Sequence, residues 1–160
     1  MEKLNLLLPL IKNKLPEAAI FLSGSGTNAE KILQRLKKEA AENIESAYKV
    51  SVLVTDAPES SRALELGKEY GIPVVAEDIR AFYRANGEER VSIRSPKAQE
   101  LRRLWSDSLR QKLSAYDIDF AIFAGFVPLT DLTADFPCLN VHPGDLTYLK
   151  DGQRFLIGLH

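Results

Sequence analysis

The chain has 160 residues, 45% of them apolar and 27% charged, which is enough to bury one core and too little for two independent ones. Its 21 lysines and arginines stand against 22 aspartates and glutamates, a net charge of −1, so no global basic field recommends nucleic acid as a partner. The single cysteine, Cys138, excludes an internal disulfide, no apolar run approaches the roughly 20 residues that span a bilayer, and no secretory pattern opens the sequence. A cytoplasmic protein with no membrane partner is therefore expected.

Residues 1–15 carry enough leucines for a helical N-terminal arm, bent or divided at Pro9, that would cover an edge or the bottom of a sheet. AAIFLS (18–23) is a continuous apolar run of the kind found in a strand buried on both faces. The turn SGSGTN (23–28) then leads into a helix in which Ile32, Leu33 and Leu36 recur at helical spacing. Thr27 and Glu30 fit a capping box that would start this helix near residue 28. KVSVLVTD (49–56) predicts a second strand. The next helix should begin after Pro58 and stop at Gly71, and IPVVAE (72–77) reads as a third strand.

Residues 78–95 break the rhythm with a glycine and mixed charges, and are expected to loop outside the sheet. From Pro96 a helix runs to about Tyr116, with Leu101, Leu104, Trp105, Leu109 and Leu113 as its buried stripe. DFAIFAG (119–125) and CLNVH (138–142) predict two further strands, separated by a turn and at most a short helix. The tail contains an Asp-Gly turn between two semi-apolar runs, consistent with a hairpin. Strand and helix alternate throughout. The fold class expected is α/β, an open, mostly parallel Rossmann-like sheet with helices on both faces.

In such a sheet, ligands bind where the strands end at their carboxyl side, and a helix N-terminus there offers free N–H groups and partial positive charge. SGSGTN stands at such a place. It is neither a dinucleotide fingerprint nor a Walker loop, since Ala29 and Glu30 follow where glycine or lysine would be needed. Its glycines either cradle an anion or merely turn the corner. A second candidate is NVHPG (140–144). Alternate residues of a strand share a face, so Asn140 and His142 can address one bound group while Val141 enters the core. An amide and an imidazole so placed suit polarising a carbonyl, and a histidine that simply caps the strand end is the alternative. With two histidines 18 apart and no paired cysteines, no metal is expected.

SGSGTN, AGF (124–126) and LNVHPG (139–144), in this order and spacing, resemble the formyltransferase-type domain family, best represented by the glycinamide ribonucleotide transformylases. Asp56 and YGIPV (70–74) agree, so the resemblance covers roughly residues 18–144. It implies one formyltransferase-like domain over 1–160, incomplete at its C-terminus, acting in purine biosynthesis with 10-formyltetrahydrofolate as formyl donor and a small-molecule primary amine as acceptor. By the same resemblance Gly26, Thr27 and Asn28 would hold the acceptor's phosphate, Phe126, Val127 and Leu129 would line the donor pocket, and Asn140 and His142 would contact the formyl oxygen.

The chain departs from the family pattern at several points. Gly144 stands where a serine commonly follows the histidine-proline pair, and Pro128 where an arginine is common. The family's catalytic aspartate falls beyond His160, so the chain reads as the first part of a longer one. Residues 78–115 form a longer stretch than in the family, and the arm is additional. These departures leave room for a catalytically degenerate ligand- or partner-binding domain, or for a related formyltransferase or hydrolase with another acceptor. An exposed sheet edge would be covered by a homo-oligomer or by the arm.

Overall fold

The computed structural model describes residues 14–141 and 149–154. Five strands form one sheet: β1 (Glu17–Phe21), β2 (Lys49–Thr55), β3 (Val74–Ala76), β4 (Phe120–Phe123) and β5 (Cys138–Asn140). Their order is β3-β2-β1-β4-β5 and every pairing is parallel. A parallel sheet needs crossovers, and the crossovers cover both faces, which is why β1, β2 and β4 are continuous apolar runs rather than alternating ones.

Helices α1 (Thr27–Ala41) and α2 (Ala63–Tyr70) cover one face, where Ala29, Leu33, Ala63 and Leu66 pack on Ile20, Leu22, Leu53 and Ile122. Helices α3 (Ile79–Ala85) and α4 (Pro96–Leu113) cover the other, with Tyr83, Leu101, Trp105 and Leu109 against Phe21, Val52, Val54 and Ala121. The expected Rossmann-like α/β class is borne out.

The structure differs from the sequence reading locally. Residues 78–95 do not simply loop out, because Asp78 accepts the Ala81 N–H at 2.8 Å and starts α3, whose Tyr83 is fully buried. No capping box forms at α1. Gly26 is the N-cap at φ +66°, Thr27 is already helical, and the Glu30 carboxylate is bound by Arg62 instead of reaching back. Helix α2 starts later than Pro58 suggested, after a turn in which Ser60 and Ser61 donate to the Ala57 carbonyl. On α4, Leu101, Trp105, Leu109 and Leu113 are buried, whereas Leu104 is 39% exposed at the margin of the stripe.

The Asp-Gly hairpin forms: β6 (Leu149–Lys150) and β7 (Gln153–Arg154) pair antiparallel around Asp151 and Gly152, both at positive φ. Apart from residues 14 and 15, the helical arm expected over 1–15 lies outside the described residues, as do His142, Pro143, Gly144, Asp145 and His160.

Candidate functional site

The strand order reverses at β1, whose neighbours β2 and β4 are reached by crossovers on opposite faces, so the carboxyl ends of β1 and β4 flank a crevice. One serine joins the three loops that meet there. The Ser23 N–H donates to the Gly125 carbonyl at 3.1 Å, the Ser23 hydroxyl donates to Asp56 Oδ1 at 2.5 Å, and the Val127 N–H donates to Ser23 Oγ at 2.9 Å. The ends of β1, β2 and β4 are thus tied through a single hydroxyl. Asp56 is only 6% exposed, and its burial pushes the carboxyl pKa up, opposed in part by the Ser23 hydrogen bond. Asp56 was legible as the end of a strand; the tie through Ser23 was not.

The SGSGTN turn sits beside this crevice. Gly26 combines positive φ with close contact, since a Cβ there would stand 3.0 Å from Leu22 Cδ1 and 3.1 Å from Leu66 Cδ1. Thr27 and Asn28 are exposed. The first helical bond of α1 runs from the Glu30 N–H to the Gly26 carbonyl, so the amides of residues 27–29 precede the helical ladder, as an anion site requires. Arg62 braces the turn from the start of α2. Its N–H donates to the Gly24 carbonyl at 3.1 Å, and its guanidinium holds Glu30 and Glu65 and lowers the pKa of both carboxyls. Glu30 therefore presents a compensated charge to whatever approaches the helix start. Arg62 is distant in sequence from the turn, and no local pattern marks it.

After β4 the chain turns at Gly125 and exposes Val127 and Leu129, at 68% and 64%. The Phe126 ring points the other way, into an aromatic cluster with Phe21 at 5.2 Å and Trp105 at 6.4 Å. This anchors the loop from beneath. Helix α4 holds it from the side: Arg102 Nη1 donates to the Leu129 carbonyl at 3.1 Å, Ser106 and Thr130 hydroxyls lie 3.2 Å apart, and Arg110 pairs with Asp131 and Asp135. A cavity of about 350 Å³ opens between this loop, Asp56, the start of α3 and residues 91–93. A second of about 390 Å³ adjoins it across Ile93, Arg102 and Leu129.

Asn140 ends β5 in register with Phe123, two residues before Gly125, and so stands at the same carboxyl edge. It is exposed. The next residue, Val141, donates its N–H to the Phe123 carbonyl at 3.0 Å, but its side chain is 39% exposed rather than in the core, because β5 is the edge strand of the sheet. Among the described residues there is no cluster of histidine, cysteine and acidic side chains able to hold a metal, and no helix long and apolar enough to cross a membrane.

No family model matches the chain. Solved structures do. A phosphoribosylglycinamide formyltransferase from Bacillus halodurans is similar at 30% identity and a TM-score of 0.56, over 79% of this chain and 56% of that one. Glycinamide ribonucleotide transformylase 1 from Symbiobacterium toebii superposes with a TM-score of 0.60 at 24% identity, over 83% of this chain and 54% of that one. The fold is that of the glycinamide ribonucleotide transformylases. A formyltetrahydrofolate deformylase from Burkholderia mallei shares it too, with a TM-score of 0.55 at 14% identity, over 86% of this chain and 41% of that one. The chain thus spans a little over half the length of the transformylases it resembles.

Proposed function

We propose that the protein transfers a formyl group from 10-formyltetrahydrofolate to a primary amine on a phosphorylated small molecule such as glycinamide ribonucleotide. The observation that carries this reading is the junction at Ser23, where one hydroxyl fixes a cavity-lining loop beside an open helix start. The fold shared with the transformylases, and the 30% identity to one of them, support it.

The residues present fit a folate. Val127 and Leu129 give exposed apolar walls to a cavity of a size usual for small ligands, and the buried Asp56, whose carboxyl pKa is raised by that burial, is a polar group in its lining. When bound, the donor supplies the electrophilic formyl carbon. In this proposal Val127 and Leu129 hold its ring, with Phe126 bracing them from the core. Part of the loop's backbone is already engaged, because the Val127 N–H serves Ser23 and the Leu129 carbonyl serves Arg102, and Pro128 has no N–H.

Gly26, Thr27 and Asn28 receive the acceptor's phosphate on the amides and side-chain donors at the start of α1. Asn140 points an amide N–H at the oxygen on which negative charge gathers, and His142 stabilises the same charge or moves a proton. The chain's part is alignment of amine and formyl group in a polar setting, and it makes no covalent bond to either.

Titration calorimetry with a 5-deaza folate analogue tests the donor assignment. Binding that is weakened by Leu129→Asp is expected, and absence of heat at millimolar ligand would remove folate from the account.

A further inference from the structure

At the amino ends of the strands, the face of the sheet covered by α1 and α2 is left open. Val50 at the start of β2, Tyr70 at the end of α2 and Ile72 before β3 pack against the core there yet stay half-buried, and so does Leu36 on α1. With the buried Leu33 they line a cavity of about 470 Å³. Lys37 borders it, with Nζ 5.6 Å from the centre of the Tyr70 ring. The groove is remote from the candidate site, because Asp56 follows the opposite end of β2.

The chain enters β1 at the mouth of this groove. Leu15 lines the same cavity and is 42% exposed. Its neighbours are pinned: Lys14 pairs with Asp117 at 3.0 Å and with Glu17 at 3.2 Å, and the Lys49 N–H donates to the Pro16 carbonyl at 3.0 Å. Immediately upstream the sequence reads LNLLLPLI (4–11), six of whose eight residues are leucine or isoleucine, and then the polar KNK (12–14). Leu4, Leu7 and Leu8 fall on one stripe at helical spacing before Pro9, and Leu10 and Ile11 continue the apolar run beyond it. Four residue steps separate Ile11 from Leu15, a reach of at most about 14 Å.

We propose that residues 4–11 of the same chain fill this groove, with Leu7 and Leu8 against Leu36, Val50, Tyr70 and Ile72. An aliphatic run and an aliphatic groove that each lack cover gain by removing one another from water. The short tether decides which chain supplies the run. It holds the segment at an effective concentration of millimolar order, which a second copy of the protein must exceed to displace it. The lysines of the connector stay in water while the leucines are buried. The segment thus completes the core at the end of the sheet opposite the candidate site, and the inference rests on the fold and not on the formyl-transfer reading.

Disulfide trapping in the full chain tests it, in a Cys138→Ser background that leaves no native thiol. Leu7→Cys and Leu8→Cys are each combined with Leu36→Cys in the groove, and for comparison with Leu139→Cys, an exposed position on the edge strand β5. A disulfide needs the two Cα atoms within about 7 Å, so its rate of formation under copper phenanthroline reports where the segment lies. At least one groove pair is expected to close tenfold faster than either β5 pair, within single chains and at a rate independent of protein concentration. Adding Leu4→Asp and Leu10→Asp should slow that closure at least tenfold, and circular dichroism should show the same folded sheet and helices.

Equal rates for the groove and β5 pairs would overturn the proposal. So would crosslinks that join two chains and quicken with concentration, since the groove would then receive the segment of another copy. Closure unaffected by the two aspartates would overturn it as well, because the contact would not be one of apolar burial.

Discussion

Replacing Trp105 tests how the core and the candidate site are joined. Its indole is fully buried in the cluster formed by α4 and the sheet, Nε1 donates to the Glu77 carbonyl at 3.0 Å, and its face stacks on Phe126 at an interplanar angle of 20°. Trp105→Ala removes the ring and leaves a cavity, which typically costs about 3–5 kcal/mol, and strands a buried carbonyl for about 1–3 kcal/mol more unless water enters the space. Trp105→Phe keeps most of the packing and loses mainly the hydrogen bond, so about 1–3 kcal/mol is expected. Urea unfolding followed by far-UV circular dichroism measures both, since the variants have no tryptophan to report by fluorescence. The Phe126 anchor adds a second readout. Hydrogen exchange at the Val127 amide, which is bonded to Ser23, should quicken in the alanine variant and recover in the phenylalanine variant. A loss below about 1 kcal/mol for alanine, or an equal loss for both variants, would refute the reasoning.

Gly26→Ala should lower stability by about 1–2 kcal/mol from left-handed strain alone, with crowding against Leu22 and Leu66 adding to it, and a urea midpoint equal to the parent's would contradict the cap geometry. Glu17 is held by the Ser51 hydroxyl, Lys49 and Lys14, which lower its pKa from 4.5 to about 2. Its contribution is therefore complete above pH 4.5 and lost as the pH falls towards 2, and Glu17→Gln should flatten the fall in urea midpoint across that window. Asp56 has the opposite sign. Its folded pKa is raised above 3.8, so ionisation costs stability as the pH climbs through that raised value, and Asp56→Asn should remove this dependence.

The strands were legible because burial on both faces writes them as continuous apolar runs between glycines and prolines, as in AAIFLS and DFAIFAG. The α4 stripe was legible apart from Leu104, whose place at the margin depends on how α4 sits on the sheet. Helix α3 was missed because it has only seven residues, its apolar face is just Ile79, Phe82 and Tyr83 with exposed Arg80 and Arg84 between them in sequence, and its capping aspartate looks like one more loop charge. The capping box failed for a tertiary reason. Glu30 had a stronger partner in Arg62, a residue 32 positions away. Of the candidate site, the order of the three motifs placed Thr27, Val127 and Asn140 at one edge of the sheet. What joins that edge, the Ser23 hydroxyl between Asp56 and Val127, consists of contacts 33 and 104 residues apart that no local pattern encodes.

The central claim is formyl transfer aided by the Asn140 amide, and it is tested most directly by single-turnover transfer from 10-formyltetrahydrofolate to glycinamide ribonucleotide. The parent protein, expressed at the length its gene encodes, is measured beside Asn140→Ala, with donor affinity recorded for each. The account predicts formylated product from the parent, and a rate roughly a hundredfold to a thousandfold lower in the variant, about 2.7–4 kcal/mol, with donor affinity little changed. No product from the parent at saturating donor, or equal rates in the two proteins, would contradict it.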